Sequence, residues 1–183
     1  ALVAALGSGE IDAASGLSPG NLGSLPPENI RTSPLNRVFG VFFNQNQSEL
    51  LRDIDVRRAL LDSIDREVLV QQVLEGYGTA LTGPIPPDIL PKQQAATESL
   101  ATTTDRVVTA RNKLIAKGWK EDEDGKLSKT TGKGKDAKTV SLIFSLSTGN
   151  VPELRAAAEY VRQEWSKLGA SVDVKIFDQG DLS

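Results

Sequence analysis

Cysteine and histidine are both absent from this chain of 183 residues. Without cysteine the chain forms no disulfide and offers no thiolate nucleophile or thiolate metal ligand. Without histidine it offers no Ser-His-Asp triad and no imidazole metal ligand. The two absences exclude most hydrolase and zinc-enzyme functions from these residues. The lack of cysteine is also compatible with an exported protein that has no disulfides.

Long apolar runs and an excess of positive charge are missing as well. No stretch approaches the roughly 20 apolar residues that a membrane-spanning helix needs, and no basic segment followed by an apolar core stands at the N-terminus. The net charge of -3 argues against a nucleic-acid surface, which needs clustered Lys and Arg. Residues 126–138 are basic, but their lysines lie among Thr, Gly and Ser, which is typical of a solvated loop.

The composition that remains is that of a globular protein, with 39% hydrophobic and 25% charged residues. The length suits one domain with a sizeable core or two very small ones. Because the sequence opens within an apparent helix and without an initiator Met, we expect it to be a piece of a longer protein.

The chain is organised around the segment that begins at residue 37. Residues 37–43 are almost all apolar, which predicts a strand covered on both faces and ending at Asn44. One long helix is predicted next, starting where Asp53 or Asp55 can accept hydrogen bonds from the first turn, and ending at Gly76. Its buried stripe would comprise Val56, Leu60, Leu61, Ile64, Val68, Leu69 and Val73. A stiff Gly/Pro loop would follow.

The residues on either side predict shorter elements and then an α/β unit. Before the central segment, the pattern predicts a helix over residues 1–6, a strand over 10–14 and a helical turn within 17–25. After it, the pattern predicts a loop over 88–104, a helix capped by Asp105 over 105–117 and a turn at 124–125. Three further elements are then predicted: an internal strand over 139–146, a helix over 150–168 and a strand over 170–177. The last three elements form a crossover, so their strands should be parallel. Trp119 and Trp165 are expected in the core.

The charged clusters favour structural roles. Asp62 and Arg66 stand four residues apart on the predicted helix and would form an exposed ion pair worth roughly a few tenths of a kcal/mol. Residues 121–124 are acidic but lack the alternating ligand positions of a calcium loop, so they predict a solvated turn. Neither a metal site nor a cofactor site is expected. One alternative stays open, a small α/β enzyme in which Asp65 or Asp55 acts as a general acid or base.

The order of motifs over residues 39–87 resembles the family 5 extracellular solute-binding proteins, the peptide-capturing components of ABC importers. An aromatic strand ending in Asn is followed by D-x-x-V-R-x-A-L, I-D-R, G-x-G and P-x-P-P. The matching residues are Phe42, Phe43, Asn44, Asp53, Val56, Arg57, Ala59, Leu60, Ile64, Asp65, Arg66, Gly76, Gly78, Pro84, Pro86 and Pro87. G-E-I-D at residues 9–12 and L-x-x-x-G-W at residues 114–119 also agree with the family.

This resemblance implies an α/β fold of the two-lobed, type II periplasmic-binding-protein class, with a mixed sheet and flanking helices. Residues 1–38 would be the end of the first lobe and its rim loop. Residues 39–46 would be the crossing or hinge strand, and residues 47–183 the first half of the second lobe. Further ligand-holding residues would then lie beyond residue 183.

The resemblance also implies ligand contacts at the rim and along the crossing strand. The rim candidates are Ser15, Gly16 and Leu17, and the strand candidates are Gly40, Phe42 and Asn44. The alternative for all six is that they only shape the hinge.

The implied function is non-catalytic capture of a peptide or another small solute, followed by delivery to the membrane permease of an ABC importer. The protein would be exported, as a periplasmic protein or a cell-surface lipoprotein whose signal segment is outside this chain. Relatives of the fold also carry nickel chelates, sugars or opines, so these ligands remain alternatives. Another alternative is the sensor portion of a transcription regulator. Unpaired strand edges also predict self-association of the piece.

Overall fold

The structure is a computed structural model that describes residues 2–33, 37–81, 83–85, 103–132 and 134–178. Its helices are α1 (Leu2–Ser8), α2 (Ile54–Asp62), α3 (Arg66–Leu74), α4 (Thr103–Ala116) and α5 (Pro152–Leu168). Its strands are β1 (Lys120–Glu121), β2 (Leu127–Thr131), β3 (Lys138–Ser141), β4 (Ile143–Gly149) and β5 (Ser171–Phe177). Residues 88–102 of the loop predicted over 88–104 lie outside the described residues. Pro86 and Pro87 of the predicted Gly/Pro loop lie outside them as well.

The strands form two sheets, and the crossover predicted near the C-terminus is confirmed. β1, β2 and β3 make an antiparallel sheet, while β4 and β5 pair in parallel with α5 between them in the chain. The apolar face of α5 packs on this parallel pair, where Phe144, Leu146 and Val172 join the core. Gly169 closes α5 with a φ of 106°, as its position after the apolar stripe predicts.

The single internal strand predicted over residues 139–146 is wrong, because the chain changes sheets at Leu142. Leu142 is 1% exposed, its N–H donates to the Leu127 carbonyl at 2.8 Å, and its own carbonyl accepts from Ser171 N–H at 2.8 Å. The backbone therefore pairs with β2 before this residue and with β5 after it. β4 also has one open face, since Ile143 is 65% exposed.

The one long helix predicted after residue 53 is two helices, α2 and α3. The chain turns between them because the Asp65 carboxylate accepts a hydrogen bond from Val68 N–H at 3.1 Å and so caps α3. Buried Ser63 fills the corner by donating to the Leu60 carbonyl at 3.0 Å. Of the two predicted cap residues, Asp53 caps α2, with 2.8 Å between its Oδ1 and Asp55 N.

This turn also overturns the ion pair predicted between Asp62 and Arg66. The two residues no longer share one helix face, and Asp62 instead pairs with Lys113 of α4, with 2.9 Å between Oδ2 and Nζ. The prediction that Asp105 caps α4 is wrong as well. The helix begins at Thr103, so Asp105 lies within its first turn.

The core is built where α2, α4 and α5 meet. Both tryptophans are buried as predicted, with Trp119 3% and Trp165 2% exposed. Trp165 also donates from Nε1 to the Leu60 carbonyl at 2.9 Å, and the Tyr160 hydroxyl donates to the Asp65 carbonyl at 3.1 Å. Two hydrogen bonds to α2 and the turn after it therefore fix the position of α5.

The buried strand predicted over residues 37–43 is wrong. These residues have no regular secondary structure, and Val38, Phe39, Val41 and Phe42 are all at least 41% exposed. A strand needs neighbouring backbone groups to complete its ladder. Within the described residues, no backbone hydrogen bond connects 37–43 to a strand. The short strand predicted over residues 10–14 is irregular for the same reason.

The N-terminal helix and helical turn agree with the sequence. α1 spans Leu2–Ser8, and a 3-10 helix spans Pro19–Ser24 with Ser18 immediately before it. Across the described residues, no helix is both long enough and apolar enough to cross a membrane.

Candidate functional site

The predicted crossing segment, residues 39–46, exposes one aromatic side chain to solvent and partly buries the next. Phe42 is 94% exposed, whereas Phe43 packs against the core with its ring centroid 6.2 Å from that of Trp165. Phe144 of β4 contacts the same indole edge-on at 5.4 Å. Phe43 therefore attaches the segment to the core and leaves Gly40 and Phe42 accessible from outside.

Asn44 uses its side chain to form the turn that follows. Its Oδ1 accepts hydrogen bonds from the backbone N–H groups of Asn46 and Gln47, each at 3.2 Å. Arg52 supports this turn by donating from Nε to the Gln45 carbonyl at 2.8 Å. This bonding favours the hinge-shaping alternative for Asn44 over a direct ligand contact.

The rim turn, residues 15–17, follows α1 and is open to solvent at its centre. Ser15 and Gly16 are exposed and Leu17 is half-buried. Gly16 has a φ of 70°, in the left-handed region, and a Cβ at this position would have no heavy atom within 4 Å. Glycine therefore serves the turn conformation here, and the space beside it is free.

Ser18, directly after the rim turn, bonds to the first turn of α5. Its Oγ donates to Glu153 Oε1 at 2.6 Å, across 135 positions of sequence. This hydroxyl, together with the backbone N–H of Glu153 itself, lowers the pKa of the Glu153 carboxyl from its ordinary value of 4.5. The sequence carries no signal for this contact, because an acidic residue in the first turn of a helix is common.

The two sets of candidate residues are both accessible but are not joined to each other. In the part of the chain that the structure describes, no hydrogen bond links residues 15–17 with residues 40–44. Each set is instead fixed to the C-terminal half, one through Ser18 and Glu153, the other through Phe43 and Trp165.

The acidic residues considered for catalysis or metal binding make structural contacts. Asp65 caps α3 and lies 3.8 Å from the Arg106 guanidinium, and Asp55 lies 3.3 Å from Lys117 Nζ. In the acidic turn, Asp122 Oδ1 accepts from the N–H groups of Asp124 and Lys126, at 3.0 and 2.8 Å. Among the residues described here, no group of three or more metal-ligating side chains is found.

A groove of about 320 Å³ lies between α2 and α4. It is lined by Asp55, Arg58, Ala59, Asp62, Lys113, Leu114 and Lys117. The ion pairs of Asp62 with Lys113 and of Asp55 with Lys117 join four of its five charged side chains, Arg58 being the fifth. None of the six candidate residues lines the groove. It is a packing groove between helices, separate from the rim turn and the crossing segment.

Comparison with known proteins decides the family. The model described as "Bacterial extracellular solute-binding proteins, family 5 Middle" matches residues 1–182. The chain belongs to this family. A curated relative, the oligopeptide-binding protein AppA of Bacillus subtilis (strain 168), is 31% identical over 152 residues. That match covers 78% of this chain and 25% of AppA, so the chain spans about a quarter of this relative's length.

Solved structures confirm the predicted fold class. AppA from Bacillus subtilis in complex with a nonapeptide matches with a TM-score of 0.60 and 29% identity, over 74% of this chain and 25% of AppA. An ABC transporter substrate-binding protein from Sinorhizobium meliloti also matches, with a TM-score of 0.60 and 24% identity. The match covers 100% of this chain and 37% of the Sinorhizobium protein.

NikZ from Campylobacter jejuni in complex with Ni(L-His) matches with a TM-score of 0.58 and 24% identity. The match covers 78% of this chain and 26% of NikZ. At this identity the likeness to NikZ and to the Sinorhizobium protein shows the fold alone. This family 5 chain therefore has the α/β architecture of the type II periplasmic binding proteins, with sheets flanked by helices.

Proposed function

We propose that this chain forms the cleft rim, the crossing segment and part of the second lobe of a peptide-binding receptor for an ABC importer. The observation that carries the proposal is the 31% identity over 152 residues to AppA, an oligopeptide-binding protein. In this assignment residues 1–38 end the first lobe, residues 39–46 cross between the lobes, and residues 47–183 belong to the second lobe. The receptor is non-catalytic and exported, as a periplasmic protein or a lipoprotein.

The exposed backbone of the crossing segment supports an extended ligand. Residues 37–43 carry N–H and C=O groups that, within the described residues, have no strand partner, and an extended peptide satisfies such groups by pairing with them. Phe42, 94% exposed, supplies apolar surface beside this backbone. The rim turn precedes the crossing segment in the chain and belongs to the proposed first lobe. Closure of the two lobes would therefore enclose the ligand between the rim turn and the second lobe.

Delivery then requires release to a permease, which a hinge motion between lobes provides. Binding stabilises the closed arrangement to the extent that the ligand contacts both lobes, and reopening at the permease lowers the affinity. Phe43 remains packed on Trp165 in this scheme, so the crossing segment moves with the second lobe.

The test is calorimetric titration of the complete polypeptide that carries these 183 residues. The probes are all-L dipeptides, pentapeptides and nonapeptides of defined sequence, with a nickel–histidine complex and a trisaccharide as competitors from the alternative ligand classes. Saturable binding of peptides alone supports the proposal. Binding of the nickel complex or the sugar without peptide binding assigns a different solute, and no binding of any probe overturns the receptor function. We expect the 183 residues alone to bind more weakly than the complete polypeptide.

A further inference from the structure

We propose that Glu153 is a positioning residue for the solute site, holding the rim turn of residues 15–17 in place through Ser18. This inference rests on the proposed function, in which the rim turn contacts the solute. Its physical basis is the hydrogen bond of 2.6 Å between Ser18 Oγ and Glu153 Oε1. Hydroxyl-to-carboxylate bonds of this length are among the stronger hydrogen bonds in proteins.

Ser18 occupies a position where a serine normally bonds to its own helix. It immediately precedes Pro19 at the start of the 3-10 helix Pro19–Ser24, and a serine there usually accepts a hydrogen bond from the first turn. Here the side chain makes no such cap, and its hydroxyl donates to Glu153 instead. The residue is therefore engaged in a long-range contact.

Glu153 stands on a rigid part of the molecule. It is the second residue of α5, a helix of 17 residues whose apolar face is buried in the core. The start of this helix is attached to the end of β5, because Asn150 donates from its backbone N–H to the Phe177 carbonyl at 2.7 Å. The negative charge also lies at the positive end of the helix dipole, which stabilises the ionised carboxylate.

The rim turn needs such an anchor because its surroundings provide few contacts. Residues 10–16 form no helix or strand, and most of them are exposed. Of the side-chain hydrogen bonds made by described residues 9–33, the one from Ser18 alone reaches beyond residue 33. Removing it leaves these residues without a side-chain hydrogen bond to the part of the chain after residue 33.

The Ser18–Glu153 hydrogen bond also joins parts of the chain on either side of the crossing segment. Ser18 precedes the crossing segment and Glu153 follows it, so the bond connects the two proposed lobes. A motion that separates the lobes must break this hydrogen bond. Glu153 therefore favours the arrangement in which the rim turn stays close to the second lobe.

The experiment compares Ser18→Ala, Glu153→Ala and the double variant with the unsubstituted complete polypeptide. Hydrogen exchange followed by mass spectrometry reports the protection of residues 12–20. We expect exchange there to accelerate about 3- to 10-fold in either single variant, the range for one hydrogen bond, with no further change in the double variant. Ser18→Thr keeps the hydroxyl and should retain protection. Glu159→Gln is the matched control, since Glu159 lies on the exposed side of α5 and bonds to Arg162.

Affinity for a defined nonapeptide, measured by calorimetry, is the second readout. We expect Ser18→Ala and Glu153→Ala to weaken binding by the same factor, with Ser18→Thr and Glu159→Gln unchanged. Unchanged exchange in Ser18→Ala overturns the inference whatever the affinity. Faster exchange with unchanged affinity also overturns it, because the turn would then be held without serving the solute. If the unsubstituted protein does not bind the peptide, the proposed function fails, while the exchange data still decide whether Glu153 holds the turn.

Discussion

The indole N–H of Trp165 donates to the carbonyl oxygen of Leu60 at 2.9 Å, so α5 is hydrogen-bonded to the C-terminal turn of α2 within the core. The same indole supports Phe43 on one side and Phe144 on another. Trp165 therefore connects the crossing segment, the parallel strand pair and the helix pair. Any change in its position would be transmitted to the proposed solute site through Phe43.

Replacing Trp165 with Phe should lower the free energy of unfolding by about 1–3 kcal/mol, because a buried hydrogen bond and part of the ring volume are lost. Urea denaturation followed by circular dichroism measures this change. Trp119→Phe is the matched control: Trp119 is equally buried, but its Nε1 has no hydrogen-bond partner in the described structure. We expect Trp119→Phe to lower the free energy of unfolding by about 1 kcal/mol less than Trp165→Phe does. Equal costs for the two substitutions would contradict the role assigned to the Trp165–Leu60 bond.

Leu142 should be among the most sensitive positions of the C-terminal half, because its buried side chain and both of its backbone groups join the two sheets. We expect Leu142→Ala to cost about 2–5 kcal/mol of unfolding free energy, as for other fully buried leucines. The neighbouring Ile143 is 65% exposed, and Ile143→Ala should change stability by no more than about 0.5 kcal/mol. Chemical denaturation of both variants measures the two changes in unfolding free energy. Similar losses for Leu142→Ala and Ile143→Ala would contradict the role of Leu142 as the junction between the two sheets.

Local patterns predicted those elements whose determinants lie close together in sequence. The Asp53 cap, the α5 helix closed by Gly169 and the parallel pairing of β4 with β5 all follow from rules that operate over a few residues or one crossover. The sequence does not predict the break between α2 and α3, because Ile64 and Val68 continue the apolar spacing across it. The capping residue, Asp65, was visible in the sequence but was masked by that periodicity.

The failures concern contacts between distant residues. An apolar run such as residues 37–43 becomes a strand only where partner strands exist, and the run itself does not encode them. Family resemblance predicts a rim turn at residues 15–17 but does not predict its anchor, since Ser18 and Glu153 are 135 positions apart and neither residue type is distinctive. A hydrogen bond of this kind becomes visible only when the packing of α5 is known.

The Ser18–Glu153 bond should make stability depend on pH in the acidic range. The folded-state pKa of Glu153 is lowered below its ordinary value of 4.5, so the bond's contribution is fully present above that value and is lost as the pH falls through the folded-state pKa. Ser18→Ala should therefore be less stable than the unsubstituted protein at pH 7, with the difference shrinking steadily below about pH 4.5. Paired urea titrations at pH 7, 5, 4 and 3 measure it. A difference that stays constant over this range would show that the Glu153 charge is not involved.

The exposed apolar side chains of the crossing segment should cause the 183-residue chain to self-associate. Phe42 is 94% exposed and adjoins Val41, at 44%, and an apolar surface beside an unpaired backbone favours association between copies. We expect the mean mass from light scattering to rise with concentration and Phe42→Ser to reduce this rise. Leu61→Ser is the control, because Leu61 is an apolar side chain on α2 that is 49% exposed and does not belong to the segment. A constant monomer mass at high concentration, or an equal effect of both substitutions, would mean that the crossing segment does not drive association.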